Sequence, residues 1–160
     1  MTTSVGRLFD AAAALTDACM ESSFEGEAAL RLEALCTSDE EPIAMPLTRD
    51  TSGIWRSEWS PLVGAMLDST QTQSVRAARF HSSLAHTLLA QALAVRGETH
   101  VNCVGLAGGV FQNRILTQHA RQLLEHAGFE VLIPKALPLN DAAISFGQLV
   151  EARRLHATAT

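Results

Sequence analysis

Apolar positions recur at helical spacing through the first part of the chain. In residues 5–20, "VGRLFDAAAALTDACM", Leu8, Ala11, Ala12, Leu15 and Cys19 fall on one face and predict a helix over about that span. In "SSFEGEAALRLEALC", Ser22 and Glu25 have capping-box spacing, and Ala28, Ala29, Leu32 and Leu35 form the buried stripe of a second helix. The pattern then changes. Two short runs enriched in β-branched or aromatic residues flank Arg49, Asp50, Thr51, Ser52 and Gly53, which predicts a hairpin, with Pro42 and Pro46 confining its first run to an edge. "SPLVGAMLDST" predicts a short helix with Ser60 as N-cap and Pro61 at the first helical position. The longest pattern, over about residues 72–96, places Val75, Ala78, Phe80, Leu84, Leu88, Ala92 and Val95 on one broad face.

The last part of the chain alternates between periods. "HVNCVGLA" predicts a buried strand, "VFQNRILTQHARQLLEHAG" a helix closed by Gly128, and "FEVLIP" a second strand. A strand, a helix and a strand in that order make a parallel β-α-β unit, and such sheets receive ligands beyond the carboxyl ends of their strands. The final helix enters at Asn140-Asp141 and carries Arg153 and Arg154 near its negative dipole end. There are no repeats, low-complexity tracts or linkers. The expected class is α/β, a parallel or mixed sheet flanked by helices, in one domain over residues 1–160.

Two loops then converge on one sheet edge. The first is Ala107-Gly108-Gly109-Val110, where free N–H groups suit a phosphate or another anion, although a tight turn with no ligand also explains the glycines. Asn113 has two readings, an amide that holds a ribose or base edge and an exposed helix residue. The second loop is Leu139-Asn140-Asp141, where Asp141 is either a first-turn acid that stabilises its helix or a metal ligand beside polyphosphate. His81 and His86, five apart, point roughly 140° away from one another on a helix, so they read as packing or surface residues. No serine or cysteine sits beside a base in a nucleophile setting, so covalent catalysis has no support.

Composition changes the picture in three respects. A net charge of −5 argues against bulk electrostatic attraction to nucleic acid. Cys19, Cys36 and Cys103 have no metal-binding spacing and read as small core residues in a reducing compartment. No apolar run approaches the roughly 18 residues of a membrane span, and no signal pattern opens the chain, so a cytoplasmic location is expected.

Five ordered motifs, "GRLFD", "FEGEAALRLEAL", "RFHSSLAHTLL", "LAGGVFQNRILTQHARQLLEHAGFEVLIP" and "PLNDAAISFGQ", resemble the C-terminal part of the HypF carbamoyltransferase family over nearly the whole chain. That part is related to the TsaD tRNA-modifying enzymes and has the actin-like ATPase (ASKHA) fold, so the resemblance implies one lobe of such a fold. It further implies that Asp10, Gly26, Glu27, Gly108, Gly109 and Asn113 bind the nucleotide. Asp141 would ligate a divalent metal (iron, zinc or magnesium).

The implied cofactor is ATP or carbamoyl-adenylate, with the carbamoyl group passing to the C-terminal cysteine of HypE in [NiFe]-hydrogenase maturation, where it becomes the cyanide ligand. The family's HxxxH metal motif does not occur in this sequence. The resemblance therefore implies a second lobe with the first one missing, catalytically incomplete alone and completed by the remaining HypF lobe or domains in cis or trans. A homodimer is a further possibility. The competing readings are a non-enzymatic nucleotide- or partner-binding module and a tRNA-modifying relative, the latter disfavoured by the acidic balance and the forms "GRLFD" and "GGVFQN".

Overall fold

The computed structural model describes residues 4–158. Helix α1, Val5–Leu15, buries Phe9, Ala12 and Ala13, while Ala11 faces solvent. It ends before the residue 20 that periodicity predicts, because the buried Thr16 hydroxyl donates to the Ala12 carbonyl at 2.7 Å and Asp17 turns to a φ of 59°. Cys19 still reaches the core from the irregular segment that follows.

Helix α2, Glu27–Ala34, starts later than the Ser22–Glu25 spacing predicts. Ser23 and Glu27 make the helix-entry contacts instead: the carboxylate accepts the Ser23 N–H at 2.6 Å and its hydroxyl at 2.8 Å. Ala28 and Leu32 are buried on the expected face. Full burial of a leucine such as Leu32 stabilises the fold by about 1.5–3 kcal/mol.

Strands β1, Leu47–Arg49, and β2, Trp55–Ser57, pair antiparallel as the expected hairpin. The Asp50 carboxylate accepts the N–H groups of Ser52 and Ile54, both at 2.9 Å, and fixes the loop. Helix α3, Ser60–Leu67, has Trp59 as N-cap and Ser60 as its first helical residue, since the Glu58 carboxylate accepts the Ser60 N–H at 2.9 Å.

Helix α4, Gln73–Thr99, is capped by the Thr72 hydroxyl, which accepts the Val75 N–H. Its first half is buried almost all round, including Ala77, Ala78, Phe80, Leu84 and Ala85. Val95 is exposed, although the helix end around it is held by Glu98 to Arg49 and Trp55 of the hairpin. The Phe80 ring meets Phe9 edge-on with centroids 4.9 Å apart.

Strands β3, Cys103–Gly105, and β4, Glu130–Leu132, are parallel with Val104 opposite Val131. They are joined by α5, Arg114–His126, which buries Leu116, Ala120 and Leu124. Gly128, at a φ of 83°, closes α5: its N–H donates to Glu125 and that of Phe129 to Leu124, each at 3.0 Å. The chain therefore leaves α5 directly into β4. Arg96 braces this turn, donating to the Ala127 carbonyl at 2.9 Å and stacking 4.0 Å from the Phe129 ring centroid.

Helix α4 packs against α1, α2, α3, α5 and the hairpin. The sheet differs from expectation in one respect: the hairpin and the parallel pair are two separate two-stranded sheets among the described residues. Cys103 is exposed rather than in the core, because alternate residues of β3 face away from the helices. Helix α6, Ile144–Thr158, leaves Ile144, Phe146, Leu149, Val150 and Leu155 exposed.

Candidate functional site

The parallel ladder extends one step past β3, where the Leu106 N–H donates to the Leu132 carbonyl at 2.9 Å. The chain then turns away from the sheet. Gly108 takes φ 110° and ψ 155°, a conformation open to glycine and closed to residues with a Cβ. Its N–H donates to the Leu139 carbonyl at 2.6 Å. A Cβ built on Gly109 would lie 4.0 Å from the Asn140 Cβ. The glycine pair and the Asn140-Asp141 turn therefore stand side by side at the carboxyl ends of β3 and β4.

The glycines do not open α5 directly. A 3-10 turn, Gly109–Gln112, intervenes, and the N–H groups of Gly109 and Val110 begin it with no acceptor inside the turn. Asn113, at φ −65° and ψ 114°, then breaks the path, so the dipole of α5 starts beyond it. Asn113 is 6% exposed, which corrects the reading of it as an exposed helix residue. Its Oδ1 accepts the Leu116 N–H at 2.9 Å, and its Nδ2 donates to Nε2 of His81 at 3.0 Å. Both ends of the amide are thus engaged within the fold.

The Asn140 side chain accepts the Ala142 N–H at 3.2 Å and leaves Asp141 exposed at the head of a second 3-10 turn, Asp141–Ala143. Among the described residues no three His, Cys, Asp or Glu side chains gather as a metal site. These residues alone do not fit a resident metal. Asp141 offers one carboxylate.

Helix α1 packs against both α2 and the Gly109–Gln112 turn, so the elements carrying Asp10, Gly26 and the glycine pair are neighbours. Asp10 is half-exposed and meets Arg7 at 3.4 Å. Gly26 stands exposed immediately before α2. Glu27 is different: besides the two Ser23 groups, its other oxygen accepts Nε and Nη2 of Arg31 at 2.9 and 2.6 Å. These donors, Ser23 first, hold its carboxyl down at about 2 against an ordinary 4.5.

Because the folded form keeps Glu27 ionised more strongly than the unfolded chain does, its stabilisation is present above pH 4.5 and is lost as the pH falls toward 2. Urea midpoints of wild type and Glu27→Gln should differ at neutral pH and converge across that window.

An open cavity of about 470 Å³ lies beyond the strand ends, lined by Leu106, Ala107, Ile133, Pro134 and Lys135 among others. Lys135, the chain's one lysine, was not singled out by sequence reasoning. Its position just past β4 was the usable signal, because the rule that marks the loop after the first strand also marks the loop after the second. His81, for which the sequence suggests a packing or surface role, is buried in α4. Its link to Asn113 joins side chains 32 positions apart and has no local sequence signal. His86 is exposed, with Nδ1 2.9 Å from the Ser82 carbonyl.

Carbamoyltransferase HypF of Synechocystis sp. is 36% identical over 153 residues, which cover 94% of this chain and 19% of the relative. The crystal structure of full-length HypF in the phosphate- and nucleotide-bound form matches with a TM-score of 0.86 and 34% identity, over 95% of this chain and 20% of that one. That of T. kodakarensis HypF shares the fold, with a TM-score of 0.72 at 24% identity over 93% and 20% of the two chains. The chain spans about a fifth of the length of each of these proteins. Its α/β architecture is that of one lobe of their actin-like fold. The family described as "Carbamoyltransferase, Kae1-like Domain, second subdomain" matches residues 1–148, and the chain belongs to it.

Proposed function

We propose that this chain holds the nucleotide end of carbamoyl-adenylate, or of ATP, at the glycine turn, and serves transfer of the carbamoyl group to the C-terminal cysteine of HypE in hydrogenase maturation. The observation that carries this reading is the Gly108 N–H bond to the Leu139 carbonyl, which joins the two loops at the ends of the parallel strands. The relatives named as carbamoyltransferases support the reaction class.

In the proposed reaction the HypE thiolate attacks the carbamoyl carbon, a C–S bond forms, the bond to the adenylate phosphate oxygen breaks, and AMP leaves. Adenylate is a good leaving group, so positioning and charge stabilisation are what the protein must supply. The N–H groups of Gly109 and Val110 would face the phosphate, and Lys135 would offset its charge. Asp10 and Gly26 would flank the nucleoside. Asn113 and Glu27 would act by holding the surrounding turns, because their polar atoms already have partners. The remaining part of HypF would complete the site, and any iron, zinc or magnesium there would draw only Asp141 from this chain. No nucleic acid is required, and the setting would be cytoplasmic; among the described residues no helix is long and apolar enough to cross a membrane.

The test is Gly109→Ala. A Cβ there makes only an ordinary contact at 4.0 Å, so the melting temperature should stay within about 2 °C, the shift expected of a few tenths of a kcal/mol. ATP affinity measured by calorimetry should fall about tenfold if phosphate lies against this backbone. Unchanged affinity would remove the glycine turn from the site. Retained binding with no carbamoylation of a HypE C-terminal peptide, even with the rest of HypF added, would favour a binding module.

A further inference from the structure

We propose that His81 is the positioning residue of the 108–113 turn: it holds Asn113 in the one amide orientation that also caps α5, and so sets where the Gly109 and Val110 N–H groups stand. The use of that turn rests on the nucleotide reading above. The coupling itself stands on geometry.

His81 is fully buried in α4. Its Nδ1 lies 2.8 Å from the Ala77 carbonyl oxygen. A carbonyl only accepts, so Nδ1 carries the ring proton and Nε2 is left as an acceptor. That acceptor lies 3.0 Å from Asn113 Nδ2, which only donates. The other end of the amide, Oδ1, only accepts and takes the Leu116 N–H. Every atom in the chain from Ala77 to Leu116 thus has a single permitted role.

Two perturbations show how tightly this is set. Turning the amide over would bring Nδ2 against the Leu116 N–H and Oδ1 against the bare Nε2. A proton on Nε2 would set two donors face to face. Either change breaks the cap or the link, and unsatisfied buried groups of this kind are costly.

The surroundings keep the imidazole neutral. The rings of Phe9 and Phe80 meet it edge-on at 5.4 and 5.8 Å, and burial pushes its pKa down. The titratable neighbours are Cys36, whose Sγ stands 3.3 Å from Nδ1, and His119 of α5, which meets Asp39 at 3.0 Å. Burial pushes the Cys36 thiol up to about 12, so it stays protonated and brings no charge.

Asn113 passes its position back along the turn. Its N–H donates to the Val110 carbonyl at 3.2 Å, and the Phe111 N–H donates to the Gly108 carbonyl at 3.1 Å. A shift at Asn113 is therefore a shift of the amides that would receive phosphate.

The test uses the full chain labelled with ¹⁵N. His81 should show a proton on Nδ1 and a hydrogen-bonded, unprotonated Nε2. On acidification the Gly109, Val110 and Leu116 amide signals should move with the midpoint of the His81 ring. His81→Gln, whose side-chain oxygen replaces Nε2 as acceptor, should keep the native signals, lose that pH response and hold ATP affinity within about twofold. His81→Leu should displace the signals at every pH and weaken ATP about tenfold.

A side chain that merely packs would make leucine as good as glutamine. That result, a proton on Nε2, or loop amides indifferent to the ring's titration would overturn the proposal. If His81→Leu fails to fold, the wild-type titration and His81→Gln still decide. If wild type binds no ATP while its loop amides track the ring, the nucleotide reading falls and the positioning role stands.

Discussion

Gly108→Val is expected to leave the chain folded and to reduce ATP affinity by about 10- to 100-fold, from roughly 1–3 kcal/mol of backbone strain or its relief. The residue sits at φ 110° and ψ 155°, and nothing lies within 4 Å of where a Cβ would be. The penalty is thus one of backbone conformation rather than of collision. The turn would relax to a permitted φ, the bond to the Leu139 carbonyl would be lost, and the two loops would separate. Calorimetry measures the affinity, and loss of the slow-exchanging Gly108 amide proton reports the broken bond. Native affinity with the residue 108 amide no longer protected would show that this backbone geometry is not what receives the ligand.

The largest effect on stability is expected from Phe80→Ala, about 3–5 kcal/mol, read as a shift of the urea midpoint at unchanged slope. Phe80 is 1% exposed and forms a three-ring cluster with Phe9 and His81, so truncation empties a space walled by two rings that helix backbones hold in place. Phe80→Leu should cost less because it refills most of that volume. A loss below about 1 kcal/mol for the alanine variant would mean that α1 and α4 do not share this core.

Periodicity located the helices because apolar spacing is local and tertiary packing obeys it: Ala28, Leu32, Ala78, Phe80 and Leu84 are buried where their spacing places them. Helix ends were less legible. They depend on side chains that choose among several nearby backbone groups, as Thr16 does when it bonds Ala12 and as Glu27 does when it takes Ser23 in place of the Ser22–Glu25 pairing. The face expected of α1 holds for Leu8, Ala12, Leu15 and Cys19, but it extends to Phe9 and Ala13 and leaves out Ala11, because packing against Phe80 draws the Phe9 ring inward. The rim of the candidate site was readable through the β-α-β rule, which carries long-range information in a short pattern. The bond from Gly108 to Leu139 and the link from His81 to Asn113 were not, because neither leaves a mark on its own neighbourhood in the sequence.

The Gly108–Leu139 bond also bears on the entropy of association. Two flexible loops that met only around a ligand would each have to be ordered at the moment of capture, and that loss would be subtracted from the affinity. Here the fold orders both in advance, at the cost of one glycine held in an uncommon conformation. The rim is preorganised, so a ligand received there as proposed would meet both loops without having to order either.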